Sequence, residues 1–162
     1  KIVSILTKSY NVLIRPHPKT LAIDGSLVRE LINSGFFVDE KSNRKIGNLY
    51  KVSDLVLADY GGSVLSAVYL EKPLVLLNLP NEFNFVEKLL PTGSLDIKVR
   101  EEILSFDNSK VQNNIFKNQI DKIIYENKTD HIKKIKTHYF GSYSNVLPIK
   151  NLAQKLENLL HN

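Results

Sequence analysis

Short aliphatic runs alternate with stretches whose apolar residues recur at helical spacing. Ile2, Ile5 and Leu6 start the pattern in a helix predicted from Lys1 to Tyr10, before Asn11 breaks it. Val12-Leu13-Ile14 predicts a strand that stops at Arg15-Pro16-His17-Pro18, since prolines cannot donate to a sheet ladder. Ser26 predicts the cap of a helix reaching Ser34, with Leu27, Leu31 and Ile32 facing inward and Gly35 ending it. Phe36-Phe37-Val38 then reads as a strand, Ile46 to Val52 as a helix, and Asp54 to Ala58 as a strand. Asp59-Tyr60-Gly61-Gly62-Ser63 is a turn, Val64 to Leu70 a helix, and Pro73 to Leu77 a buried strand. Strands without polar alternation, joined by helices, predict a Rossmann-like α/β fold: one parallel sheet with helices on both faces.

After Asn78 the texture changes. Residues 79–112 read as irregular, and Pro91 to Gln112 is the most loop-like stretch. Ile115, Ile120, Ile123 and Ile124 mark one helix, and Ile132 to Ile135 another. Leu147 to Leu160, with Leu152, Leu156 and Leu159, predicts an amphipathic closing helix with Pro148 in its first turn. The 162 residues, 43% of them hydrophobic, suffice for one domain with its own core. Within it, residues 1–78 form the α/β core, 79–112 the irregular part and 113–162 a helical tail.

Composition narrows the chemistry. The absence of cysteine removes disulfides, thiolate metal sites and a cysteine nucleophile together. A net charge of +5 suits phosphorylated ligands, nucleic acid or an anionic membrane surface, and equally suits lysines that are merely solvated. The basic stretch Lys128 to His138, carrying Lys133, Lys134 and Lys136, reads first as a solvated helix face and second as a contact for anionic lipid or polymer. No aromatic and basic residues interleave in the manner that stacks bases, so nucleic acid is not an expected partner. No apolar run approaches the ~20 residues of a membrane span. The chain starts at Lys1 and contains no Met, which reads as a piece of a longer protein.

Ligands of doubly wound sheets sit outside the carboxyl ends of the strands. Two polar clusters occupy such positions. In Arg15-Pro16-His17-Pro18-Lys19, Arg15 and Lys19 suit phosphate oxygens and His17 can donate to an anion or move a proton, on a turn stiffened by proline. In Asp59-Tyr60-Gly61-Gly62-Ser63, two glycines let backbone N–H groups approach a ligand, and the next helix aims its positive end at the same spot. Ser63 adds a hydroxyl. The plain alternatives are a charged surface turn and a turn that needs glycine only for its shape. His131, His138 and His161 read as surface residues. No carboxylate or histidine cluster has ligand spacing, so neither metal nor cofactor is called for.

Val12-Leu13-Ile14-Arg15-Pro16-His17-Pro18, Ser53-Asp54-Leu55-Val56-Leu57-Ala58-Asp59-Tyr60 and Glu71-Lys72-Pro73-Leu74-Val75-Leu76 together resemble the CDP-glycerol glycerophosphotransferase family. The resemblance covers residues 1–78, with a fainter echo at His138-Tyr139-Phe140-Gly141-Ser142-Tyr143. It implies the C-terminal half of a GT-B enzyme that makes teichoic-acid-type or capsular polymer at the inner face of a bacterial membrane. It further implies a CDP-glycerol donor, a polyol-phosphate acceptor and an N-terminal half carrying the acceptor-activating base. Arg15 and His17 would then meet the donor phosphates, Gly61, Gly62 and Ser63 would hold the diphosphate, and Asp59 would anchor the turn. His17 would stabilise the leaving nucleotide.

Two positions depart from the family pattern. Gly61-Gly62 replaces a Ser or Thr pair, and Ser66 stands where an Asp is usual. Asp-x-Gly-Gly before Lys-Pro is also similar to the UDP-N-acetylglucosamine 2-epimerases, so a nucleotide-sugar enzyme with a glycan acceptor is the alternative. A non-catalytic anion-sensing domain is a third reading.

Overall fold

The computed structural model describes residues 2–23, 25–41, 43–59, 61–78, 95–107, 111–126 and 129–141. Along the chain these form α1 (Ile2–Leu6), β1 (Leu13–Ile14), α2 (Pro18–Ile23), α3 (Gly25–Asn33), β2 (Phe37–Val38), α4 (Ile46–Val52) and β3 (Val56–Ala58). They continue with α5 (Gly62–Tyr69), β4 (Leu74–Asn78), α6 (Leu95–Glu101), β5 (Ser105–Asp107), α7 (Asn113–Glu126) and α8 (Asp130–Phe140). The closing helix expected over 147–160 lies outside the described residues.

Among the described residues every strand pairing is parallel, and the fold is α/β of Rossmann-like type. β4 is central in the order β3-β4-β5, with Val56 opposite Leu74 and Leu76 opposite Ser105. Strand alternation then builds two cores. Val56, Ala58, Leu74 and Leu76 point to one face, where Val64, Ala67 and Val68 of α5, Val99 of α6, and Ile132 and Ile135 of α8 cover them. Leu55, Leu57, Val75, Leu77 and Phe106 point to the other, against Ile2 and Leu6 of α1 and Phe116 and Ile120 of α7. Helices on both faces explain why these strands carry no polar alternation. Leu76 and Val75 are both fully buried, and each such side chain is worth about 1.5–3 kcal/mol over leaving it exposed.

Among the described residues the expected single sheet is two, and β1 and β2 pair only with each other, through Leu13↔Phe37 and Ile14↔Val38, extended by the Asp39 N–H donating to the Ile14 carbonyl at 2.9 Å. Pro16 and Pro18 end β1 after two residues, too few for a longer ladder. Leu13 and Phe37, directly opposite each other, are 50% and 71% exposed, so this half-sheet has one open face.

Three local expectations change. Pro18 and Lys19 belong to α2 rather than to a turn: proline's fixed φ suits the first helical position, where its missing N–H costs nothing. α3 buries Val28 and exposes Leu27 and Ile32, because only its Val28 stripe faces the rest of the protein. The stretch expected to be irregular contains α6 and β5, which contribute Val99 with Leu95, and Phe106, to the two cores. Gly35 ends α3 as expected: at φ 81° it lets the Phe36 N–H reach the Leu31 carbonyl at 3.1 Å.

The same closure ends α5 with Glu71 at φ 56°. The Glu71 N–H donates to Val68 at 3.0 Å and the Lys72 N–H to Ala67 at 3.0 Å. A non-glycine residue is disfavoured in this conformation. The Glu71 side chain makes a 2.7 Å ion pair with Lys136 of α8.

Candidate functional site

The parallel ladders give each sheet a shared carboxyl edge. Arg15 follows β1, Asp39 follows β2, Asp59 follows β3 and Asn78 ends β4. The first two are bound together. Arg15 Nη1 donates to Asp39 Oδ2 at 2.9 Å, to the Asp39 carbonyl at 3.2 Å and to the Lys41 carbonyl at 2.5 Å. Asp39 is buried, and its Oδ1 also takes Arg44 Nε at 3.2 Å and the Lys41 N–H at 3.3 Å. A buried carboxylate needs such partners. Asp39 escaped the sequence reading, although it follows β2 as directly as Arg15 follows β1.

His17 stands just before α2, and its side chain is exposed. Its Nδ1 accepts the Lys19 N–H at 3.1 Å, and its carbonyl accepts the Leu21 N–H at 3.2 Å. The imidazole therefore caps α2, which places the proton of the neutral ring on Nε2. The Lys19 side chain is exposed beside it.

Gly61 has φ 84° and ψ −156°, a conformation open only to glycine, and caps α5. Gly62 is the first residue of that helix. Among the described residues, a Cβ placed on either glycine would meet no heavy atom within 4 Å, which leaves open space over the turn. The Val64 and Leu65 N–H groups fold back to the Gly61 carbonyl at 3.0 and 3.4 Å, while helix geometry directs the Gly62 amide outward. Asp59 and Ser63 are each engaged by neighbouring groups. Tyr60 lies outside the described residues. Beneath the turn, the buried Tyr50 of α4 donates its hydroxyl to the Ser63 carbonyl at 3.0 Å. Burial pushes the Tyr50 phenol up to about 12. Nothing in the sequence marked Tyr50 beyond its place on the apolar side of α4.

No protein-family model matches this chain, and no curated protein or solved structure does. Its chemistry therefore rests on its own geometry: a helix start with an outward amide, opened by two glycines at a strand end, suits an anion.

An apolar groove among the described residues lies elsewhere. It holds about 330 Å³ between α4, α5 and the end of α8, and is lined by Ile46, Leu65, Ser66, Tyr69, Leu70 and Phe140. With few polar groups to neutralise a phosphate, it is not the anion site. Ser66, at the position where the resembled family carries Asp, opens onto this groove.

The basic face of α8 is partly tied down. Lys136 pairs with Glu71 and lies 5.2 Å from the Tyr69 ring centroid, and Lys133 pairs with Asp130 at 3.5 Å. The His131 ring bonds to the Glu102 carbonyl through Nε2 at 2.5 Å, and His138 packs edge-on against Tyr139. Among the described residues no helix is long and apolar enough to cross a membrane.

Proposed function

We propose that this chain is the donor-binding domain of a glycerophosphotransferase-type enzyme of GT-B architecture, taking CDP-glycerol and contributing to a teichoic-acid-type or capsular polymer. The observation that carries this reading is the Gly61-Gly62-Ser63 turn, which starts α5 at the carboxyl end of β3 with open space over both glycines. The backbone amides there hold the diphosphate without a metal. His17 Nε2–H, oriented by the cap at Nδ1, donates to the departing phosphate. Arg15 and Arg44 outweigh Asp39 by one positive charge beside it, and Lys19 adds another on the exposed side.

In the reaction, an acceptor hydroxyl attacks the β-phosphorus of CDP-glycerol and the bond to the bridging oxygen breaks. CMP departs with that oxygen, glycerol phosphate is transferred, and the hydroxyl proton passes to a base in a second domain. That domain also seats the polyol-phosphate acceptor. Such a domain works at the cytoplasmic membrane face as a peripheral protein, through exposed lysines such as Lys134. A second reading, a nucleotide-sugar transferase or epimerase, is favoured by the glycine pair itself. Calorimetric titration with CDP, CDP-glycerol, UDP and a UDP-sugar separates them. Preference for the cytidine ligands supports the first reading, and preference for uridine ligands replaces it with the second. Binding of none of them, with affinity for polyphosphate alone, would leave an anion-sensing domain.

A further inference from the structure

Helix α5 is apolar on nearly every side. Val64, Ala67 and Val68 are buried in the core, and Leu65 packs at its edge. Tyr69 and the capping residue Leu70 are nevertheless exposed, and within α5 Ser63 and Ser66 alone interrupt the apolar run after Gly62. A helix that is hydrophobic all round calls for cover on its outward side as well as its inward one. That outward side is one wall of the groove of about 330 Å³ shared with Ile46 and Gly47 of α4 and with Phe140. Gly47 contributes no side chain there, which keeps α4 from filling the space.

The chain delivers an apolar surface of its own to this place. α8 ends at the groove: the Phe140 ring meets Tyr69 edge-on at 6.0 Å, and Gly141 at φ 78° donates its N–H to the Thr137 carbonyl at 3.1 Å. A left-handed glycine of this kind turns the chain off the helix axis. Beyond it, Ile149, Leu152, Ala153, Leu156, Leu159 and Leu160 recur at helical spacing, with Lys150, Gln154, Lys155 and Glu157 between them. That spacing makes one apolar stripe with a polar back. Residues 142–149 can span up to about 26 Å, more than twice the roughly 10–12 Å width of a helix, so the stripe can return over α4 and α5.

We propose that the segment 149–160 docks its leucine stripe into the α4–α5 groove of its own domain and completes the cover of α5. A segment tethered by so few residues meets the groove at an effective concentration on the order of mM, which a second copy or a free partner does not match at ordinary protein concentrations. The lining, apolar apart from Ser66 and the Tyr69 hydroxyl, matches leucine side chains rather than a charged ligand. The groove is then an interface within the domain, not a substrate pocket.

The chain has no cysteine, so a single introduced thiol reports on one place. Leu70 and Leu104 have similar exposure, 38% and 44%, but Leu70 borders the groove whereas Leu104 lies between α6 and β5. In the full chain, Leu70→Cys should react with a maleimide about tenfold more slowly than Leu104→Cys, because it reacts only while the segment is undocked. Equal rates overturn the proposal. Adding Leu152→Asp and Leu156→Asp should bring the two rates together and lower the thermal midpoint by about 4 °C or more. Protection at position 70 that survives those two changes overturns the segment as occupant, and protection that grows with protein concentration replaces it with a second copy. Should the doubly changed chain not fold, the comparison of Leu70→Cys with Leu104→Cys decides with the native segment in place.

Discussion

Replacing Gly62 with valine separates what the turn needs from what a ligand needs. Gly62 occupies the first position of α5 with ordinary helical backbone, and a Cβ there meets nothing within 4 Å. The fold should therefore accept a side chain. Alanine at a helical glycine gains roughly 0.5–1 kcal/mol, and valine, with lower helix propensity, about half of that. Gly61 is the contrast. At φ 84° and ψ −156° an alanine is strained by about 1–3 kcal/mol. For a chain of this size that lowers Tm by roughly 2–12 °C. On the binding side, two backbone amides holding a charged phosphate contribute about 1.5–3 kcal/mol each. Valine methyls in that space should remove both bonds, a loss above ~100-fold in Kd. The assay is calorimetry with CDP and pyrophosphate beside thermal unfolding of Gly62→Val and Gly61→Ala. Gly62→Val should keep its Tm and lose binding, while Gly61→Ala should lose Tm. Wild-type affinity in a folded Gly62→Val protein would mean that both glycines serve the turn and nothing else.

Arg15→Ala should cost about 3 kcal/mol in urea unfolding, because it leaves the buried Asp39 with Arg44 as its remaining guanidinium partner; a change below ~1 kcal/mol would refute that role. Leu76→Ala, at the fully buried centre of β4, should cost about 2–5 kcal/mol by the same measurement, the largest effect among single strand truncations. Burial raises Tyr50 to about 12, and burial followed by the Asp121 hydrogen bond raises Tyr10 to about 12. The unfolded chain ionises these phenols first, so thermal stability should fall as pH rises from about 10 toward 12. Tyr50→Phe should flatten part of that decline. The Lys117 hydrogen bond, then that of Tyr10, holds Asp121 below the usual carboxylate range. Its stabilisation is present above the unfolded carboxylate value and should fade as pH falls through the folded one, a dependence that Asp121→Asn removes.

How far the sequence disclosed this fold follows from where its signals are local. The strands ending at Ile14, Val38 and Ala58 are short apolar runs without polar alternation, which announces them even where, as at Leu13 and Phe37, the side chains are exposed. Gly35 and Gly61 mark positive φ through the one residue that tolerates it. β5 was hidden because Ser105 and Asp107 are polar and only Phe106 contributes to the core. The wrong inward face of α3 has a tertiary cause, since helical period alone cannot say which stripe meets a partner. In the candidate site, glycines and prolines were legible because they restrict the backbone wherever they stand. Asp39 and Tyr50 were not, because their importance comes from contacts made across 24 and 13 residues of chain, with Arg15 and Ser63.

The two-residue ladder between β1 and β2 has a mechanical consequence. A unit held by so few backbone bonds, with Leu13 and Phe37 open to water, draws much of its cohesion from the Arg15–Asp39–Arg44 cluster rather than from an apolar core. It should therefore behave as a separate cooperative unit, opening at lower free energy than the β3-β4-β5 body. Amides of residues 13–14 and 37–39 should exchange with solvent well before those of Val75 and Leu76. His17, on the loop leaving β1, rides on that looser half, while Gly62 is mounted on the rigid one.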